Sequence, residues 1–182
     1  MHRLSVLLLV AFAAPLAADD AEKGFVPLFN GKDLTGWRTK AAKDKPSQPL
    51  DGKAEAFGGR FKVKDGELVI DPAVKGDVII ETAKEIGGNV VIKFEFFPDA
   101  KCNNDLFFRG QKFDLSKQNV KNIKEGVWNP VVITVKDTKI EFDVNGEVLR
   151  SAKSNAKSTF GIRAEFGAVR VRNMRIKEGP ES

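Results

Sequence analysis

Val90 to Phe97 reads Val-Val-Ile-Lys-Phe-Glu-Phe-Phe, and its parity constrains the fold more than any other stretch. Val90, Ile92, Phe94 and Phe96 fall on one face of an extended strand, with Lys93 and Glu95 on the other. A strand with one apolar face must bury that face against a second layer. Other short strands recur at close spacing. Arg60 to Lys64 and Glu67 to Asp71 flank Asp65-Gly66, and Asp77 to Thr82 follows. Asp105 to Arg109 and Lys112 to Leu115 flank Gly110. Pro130 to Lys136, Lys139 to Val144 and Glu147 to Ala152 are joined by Asp137-Thr138 and Asn145-Gly146. Thr159 to Glu165 and Ala168 to Lys177 complete the series. Asp-Gly and Asn-Gly suit the positive-φ turns of hairpins. No segment holds a helical period over three turns, although Ser116 to Lys124 has room for one turn of helix. The expectation is an all-β chain, a two-sheet antiparallel sandwich or jelly roll without a second domain or internal repeat. Phe94, Phe96, Phe108, Ile133, Val135, Phe142, Ile162 and Val171 are its expected inter-sheet core.

The start of the chain has a different character. His2 and Arg3 precede an apolar run from Leu4 to Ala14, and Pro15-Leu16-Ala17-Ala18 supplies small residues before Asp19. That is the pattern of a secretory signal peptide, too short to span a bilayer. Cleavage is expected after Ala18, with residues 19–182 as a single domain that is secreted or periplasmic. No second apolar run is long enough for a membrane span. Export usually permits disulfides, but Cys102 is the only cysteine, so none can form within the chain. The only histidine, His2, leaves with the signal peptide, and tyrosine is absent. Ser-His-Asp and Cys-His catalysis and histidine-ligated zinc are thereby excluded. Chemistry must come from carboxylates, lysine or arginine. The formal net charge is +5. Its densest basic cluster, Lys112, Lys117, Lys121 and Lys124, has no interleaved aromatics, which reads as a solvated surface and argues against a nucleic-acid partner.

Gly24 to Trp37 reads Gly-Phe-Val-Pro-Leu-Phe-Asn-Gly-Lys-Asp-Leu-Thr-Gly-Trp. Physically this is an apolar strand whose Pro27 confines it to an edge, an Asn30-Gly31 turn, and an aromatic anchor at Trp37. The stretch also closely resembles the opening signature of the 3-keto-disaccharide hydrolase domain family. The resemblance continues through Asn104 to Gly110, Asp114, Gly126-Val127-Trp128-Asn129, Asn145-Gly146 and Arg172 to Lys177. It implies a concanavalin A-like jelly roll in a secreted bacterial protein. Two departures stand out. Only Leu115 to Glu125 separates the acidic strand from Gly126, where larger members insert a long loop. The family's "Gly-x-x-Asp-His-Gly" strand reads here Gly161-Ile162-Arg163-Ala164-Glu165-Phe166-Gly167 and lacks the histidine.

Parity and resemblance together nominate a site. Glu95, Arg109, Asp114, Arg163 and Glu165 are each expected to face away from the core, and share one polar surface if their strands are neighbours. Glu95, Asp114 and Glu165 are the candidate catalytic carboxylates. Asn104, Asp105, Arg109 and Arg163 are the candidate substrate-binding residues, suited to sugar hydroxyls and ring oxygens. The activity implied by the resemblance is cleavage of a 3-keto-glycoside. A base removes the proton at C2, a cation stabilises the enolate, and the glycosidic oxygen departs by β-elimination. Glu95 or Glu165 is the candidate base, Arg109 or Arg163 the enolate stabiliser, and Asp114 the acid or orienting group. A non-catalytic glycan-binding module and a structural domain of the cell envelope are the alternatives the fold also allows. No cofactor is implied. Asn103 and Asp105 offer oxygen ligands of the kind calcium takes, but the acidic clustering around them is thin, so metal dependence stays open. The sugar, the linkage and the oligomeric state are likewise open.

Overall fold

The computed structural model of the protein describes residues 22–179. The expected signal peptide, residues 1–18, lies outside the described residues. The strands are β1 (Val26–Pro27), β2 (Trp37–Thr39), β3 (Glu55–Ala56), β4 (Phe61–Lys64), β5 (Glu67–Ile70), β6 (Val78–Thr82), β7 (Ile86–Gly87) and β8 (Val90–Pro98) in the first half. In the second half they are β9 (Asn103–Phe108), β10 (Gln111–Asp114), β11 (Asn129–Lys136), β12 (Lys139–Val144), β13 (Glu147–Lys153), β14 (Lys157–Ser158), β15 (Gly161–Phe166) and β16 (Val169–Glu178). No helix among the described residues is long and apolar enough to cross a membrane.

Pairing is antiparallel throughout and sorts the strands into two main sheets. The major sheet has nine strands in the order β13-β12-β11-β8-β16-β5-β4-β3, with β1 added beside β16. The minor sheet has five, in the order β10-β9-β15-β6-β2. A short β14-β7 ribbon joins them at one end. The chain crosses between sheets repeatedly, β5 to β6, β8 to β9, β10 to β11 and β15 to β16, which makes the sandwich a jelly roll. Pro27 sits on the edge strand β1, which among the described residues pairs with β16 alone.

The hairpins form where the turn chemistry places them. Asp65-Gly66 and Asn145-Gly146 both hold paired positive φ angles, 52° and 82° in the first and 58° and 83° in the second, the geometry that matches the twist of flanking strands. Ser116 begins a single helical turn, in which the Val120 amide donates to the Ser116 carbonyl at 2.8 Å.

Every residue expected in the inter-sheet core is buried. Phe160 is the centre of an aromatic cluster that joins Trp37, Phe94 and Phe108 at ring distances of 6.3, 6.3 and 5.8 Å. Phe113 of the minor sheet stacks flat on Phe142 of the major sheet, 4.8 Å away. Trp37 is fully buried and its indole N–H donates to the Leu28 carbonyl at 3.2 Å. Each buried phenylalanine contributes roughly 1.5–3 kcal/mol by removal from water. Lost contacts add to this on truncation, so Phe94→Ala costs on the order of 3–5 kcal/mol.

Candidate functional site

The outward faces of the two sheets receive the expected polar residues, but not together. Glu95 lies on β8 in the major sheet, whereas Asp105, Asp114, Arg163 and Glu165 lie on β9, β10 and β15 of the minor sheet. A shared surface that includes Glu95 is therefore ruled out by strand order. Glu95 is instead paired with Arg172 at 3.0 Å and accepts a hydrogen bond from the Asn173 amide at 2.7 Å.

On the minor sheet the register brings the remaining charges into contact. Asp105 stands opposite both Asp114 of β10 and Arg163 of β15. The Arg163 guanidinium reaches Asp105 Oδ2 at 2.9 Å and Glu165 Oε2 at 3.1 Å, and its Nε donates to Asp77 Oδ1 at 2.7 Å. Lys112 Nζ bridges Asp114 at 2.7 Å and Asp105 Oδ1 at 3.3 Å. The Asp105 side chain is 0 % exposed, buried beneath these two cations. Asn103 adds a longer amide contact to Glu165, 3.4 Å.

The electrostatics follow from this packing. The hydrogen bond from Arg163 holds the Asp77 carboxyl below the usual carboxylate range, against the opposing effect of burial. Partial burial pushes Asp114 up, but the Lys112 ammonium and the neighbouring Asp105 outweigh it and leave Asp114 lowered. The Lys112 ammonium is raised, chiefly by Asp114. Arg163 is raised further, chiefly by Asp77 and then by Asp105 and Glu165. Among the described residues no group of three or more acidic, cysteine or histidine side chains is arranged to hold a metal ion.

Two expected site residues are turned inward. Arg109 is the first residue of the β9–β10 turn and has φ of 52°. Left-handed backbone breaks the alternation that the expectation of an outward Arg109 rests on. Its side chain swings inward, is 1 % exposed, and donates to the carbonyls of Asn155 (2.8 Å), Gly88 (2.8 Å) and Ala156. Burial lowers its pKa, and no carboxylate is within ion-pair distance among the described residues. Asn104 is also fully buried. It shares parity with Leu106 and Phe108, which was the available signal that it points into the sandwich. Its amide accepts from the Glu165 N–H at 2.9 Å and donates to the Phe166 carbonyl at 3.0 Å. Neither residue presents its polar group to the outer face.

Lys112 and Asp77 are the cluster members that sequence reasoning missed. Lys112 shares outward parity with Asp114, which is a readable signal. Asp77 lies just before β6 and reaches Arg163 only because β6 pairs with β15, which nothing in the sequence announces. Further along the same face, Phe107 is half-buried with the Lys40 ammonium 5.4 Å from its ring centre. Beside it Gly161 is buried with room for no more than a Cβ in ordinary contact, at 3.5 Å or more from its neighbours. Trp128 belongs to the opposite sheet's surroundings, edge-on to Phe97 at 5.5 Å and covered by Arg172 at 3.9 Å. Cys102 is buried, its thiol pushed up to about 12 by desolvation, and it has no place in the cluster.

Residues 24–123 match the family model of the 3-keto-alpha-glucoside-1,2-lyase-like domain. No curated protein matches the chain at a significant level. Among solved structures, two candidate glycosyl hydrolases of Parabacteroides distasonis are similar. One is 19 % identical with a TM-score of 0.63, over 86 % of this chain and 94 % of the other. The second is 15 % identical with a TM-score of 0.58, over 72 % of this chain and 98 % of its own. The carbohydrate-binding module CBM66 of Bacillus subtilis is similar at 9 % identity and a TM-score of 0.53, covering 80 % of this chain and 97 % of the module. At these identities the likeness is one of fold.

Proposed function

Because the chain belongs to the 3-keto-alpha-glucoside-1,2-lyase-like domain family, we propose that the outer face of its minor sheet binds carbohydrate and cleaves 3-keto-glycosides by β-elimination. The observation that carries this reading is the convergence of Glu165, Arg163, Lys112 and Asp114 around the buried Asp105 carboxylate. Functional sites gather groups whose titration is perturbed by a specific charge partner, as Asp114, Lys112 and Arg163 are here.

The chemistry can be assigned to these groups. A ketone at C3 acidifies the C2 proton, and Glu165 is the base that accepts it. One Glu165 oxygen is held by Arg163 and Asn103, and the other has no hydrogen-bond partner among the described residues. Electron density moves to the C3 oxygen, and Arg163, firmly protonated, stabilises the enolate. Collapse of the enolate forms the C1–C2 double bond and breaks the bond from C1 to the glycosidic oxygen. Lys112, kept charged by Asp114 and Asp105, protonates that oxygen as it leaves. Asp114 then orients Lys112, because its lowered pKa keeps it ionised and unable to donate a proton at neutral pH. Water adds to the unsaturated product afterwards. Export before action is part of the same proposal, and N-terminal sequencing of the secreted protein tests it by whether the chain starts at Asp19.

A glycan-binding module without turnover is the second reading. It is supported by the fold the chain shares with the carbohydrate-binding module CBM66 and by the Gly161 to Gly167 strand, which lacks the histidine of the family pattern. Incubation with 3-keto-trehalose or 3-keto-lactose separates the two. Release of free sugar with loss of the C2 proton is expected. Saturable binding without release would establish the second reading instead.

A further inference from the structure

β15 does not run straight through the site. Arg163 pairs with Asp105 and Phe166 pairs with Asn103, so two residues of β15, Ala164 and Glu165, stand opposite Asn104 alone. That extra residue is a β-bulge, a device that re-aims side chains. Residues directly paired across antiparallel strands face the same way. Phe166 therefore shares the outer side of the sheet with Asn103, and Asn103 touches Glu165 there. The bulge places an acidic and an aromatic side chain consecutively on one face, which a regular strand forbids.

Phe166 is 62 % exposed, and it is the one aromatic among the large apolar side chains exposed in the described residues. An exposed phenylalanine on an otherwise charged face forgoes the stabilisation that burial would give. The backbone beneath it is nonetheless held firmly. The buried Asn104 bonds the Glu165 N–H and the Phe166 carbonyl. Arg60, also buried, donates to the Glu165 carbonyl at 3.0 Å. Gly167 follows at φ +76°, where a Cβ would lie 2.7 Å from the Cys102 Cα, so the chain leaves Phe166 by a path that only glycine fits.

We infer that Phe166 is a stacking platform for a pyranose ring, set by the bulge next to the proton acceptor Glu165. The inference rests on the carbohydrate reading above and adds the residue that binds the ring's apolar C–H face. A planar aromatic presented rigidly beside hydrogen-bonding carboxylates suits a ring that is apolar on its faces and polar at its rim. It selects a substrate with a C–H face, such as a pyranose ring, over a flat anion or a peptide. Asn104 is by the same account a positioning residue for both Glu165 and Phe166.

The test compares the parent protein with Phe166→Ala and Phe166→Trp in three measurements. These are release of sugar from 3-keto-trehalose (or, if none is released, the Kd for it), thermal melting, and size-exclusion chromatography. Phe166→Ala is expected to raise KM or Kd about tenfold, with kcat close to the parent value. Phe166→Trp is expected to restore it. Melting and elution are expected to be unchanged, because the side chain is exposed. Unchanged KM and Kd in Phe166→Ala overturns the platform while leaving the carbohydrate reading intact. A raised KM accompanied by lower melting or an altered oligomeric state overturns it too, in favour of a packing or self-association role. A parent that neither binds nor cleaves the sugar overturns both.

Discussion

On the outer face of the major sheet, Arg172 meets Glu95, Arg170 meets Glu67, and Lys62 meets Asp71, each cation with one carboxylate. The Arg170 and Arg172 guanidiniums also sit over the rings of Phe97 and Trp128, at 4.1 and 3.9 Å. On the outer face of the minor sheet, Arg163 meets Asp77, Asp105 and Glu165 at once, and Lys112 meets Asp105 and Asp114. Both faces are made of outward charges at alternate strand positions. What separates them is register. The major sheet neutralises its charges in pairs, or between Lys93 and Arg175 through the half-exposed Glu22, all in partial contact with water, where each such contact is worth about 0–1 kcal/mol. The minor sheet stacks its charges on a carboxylate with no exposure, where losing a partner costs several kcal/mol and where ligand groups compete for strong interactions. A solvated face and a working face can thus share a composition.

The comparison is broken most severely at the minor sheet's hairpin tip. Arg109→Ala removes a buried guanidinium and leaves the carbonyls of Asn155, Ala156 and Gly88 without their donor. A loss on the order of 3–5 kcal/mol is expected, read as a melting temperature lowered by roughly 10 °C, with activity falling only in step with the folded fraction. Normal melting with loss of function would return Arg109 to the site. Next comes Asp105→Ala, which leaves Arg163 and Lys112 without their shared partner. About 3 kcal/mol is expected in chemical denaturation. A cost below 1 kcal/mol would make the two faces energetically alike.

These residues show where the sequence was readable. Alternation within β8, β10 and the first part of β15 sufficed to separate core from surface, because period-2 geometry is local, and it fails at Phe166, where the bulge breaks the period. Asp65-Gly66 and Asn145-Gly146 marked hairpins, because positive φ is a property of those residue types. Glu95 was misplaced relative to Asp105 because strand order depends on long-range pairing, which parity does not encode. Arg109 was misplaced because alternation stops where a strand enters a turn. Asn104 has the parity of a core residue, and the suitability of its amide for sugar hydroxyls carries no information about which way the side chain points. The bulge at Ala164–Glu165 was invisible, since only pairing with β9 reveals the extra residue.

A smaller effect concerns pH. Asp77 and Asp114 have folded-state pKa values below their unfolded ones. Their contribution to stability is present above the unfolded value near about 4 and is lost as pH falls through the folded value. Asp114→Asn is expected to flatten the acid limb of the stability–pH curve. An unaltered limb would show that the coupling to Lys112 and Asp105 is not felt in solution. Glu95→Gln, on the other face, is the smallest perturbation, expected to change unfolding free energy by less than about 1 kcal/mol.

The contrast between faces is tested most directly by turnover of 3-keto-trehalose in Glu165→Gln and Glu95→Gln, measured as kcat/KM beside the parent. Each variant removes one carboxylate charge from an outward strand position, one per sheet. Loss of a proton-abstracting carboxylate is expected to lower kcat/KM by about 10²-fold or more in Glu165→Gln, with melting close to the parent, while Glu95→Gln keeps the parent rate. Equal activity in both variants, or the larger loss in Glu95→Gln, would contradict the assignment of function to the minor sheet.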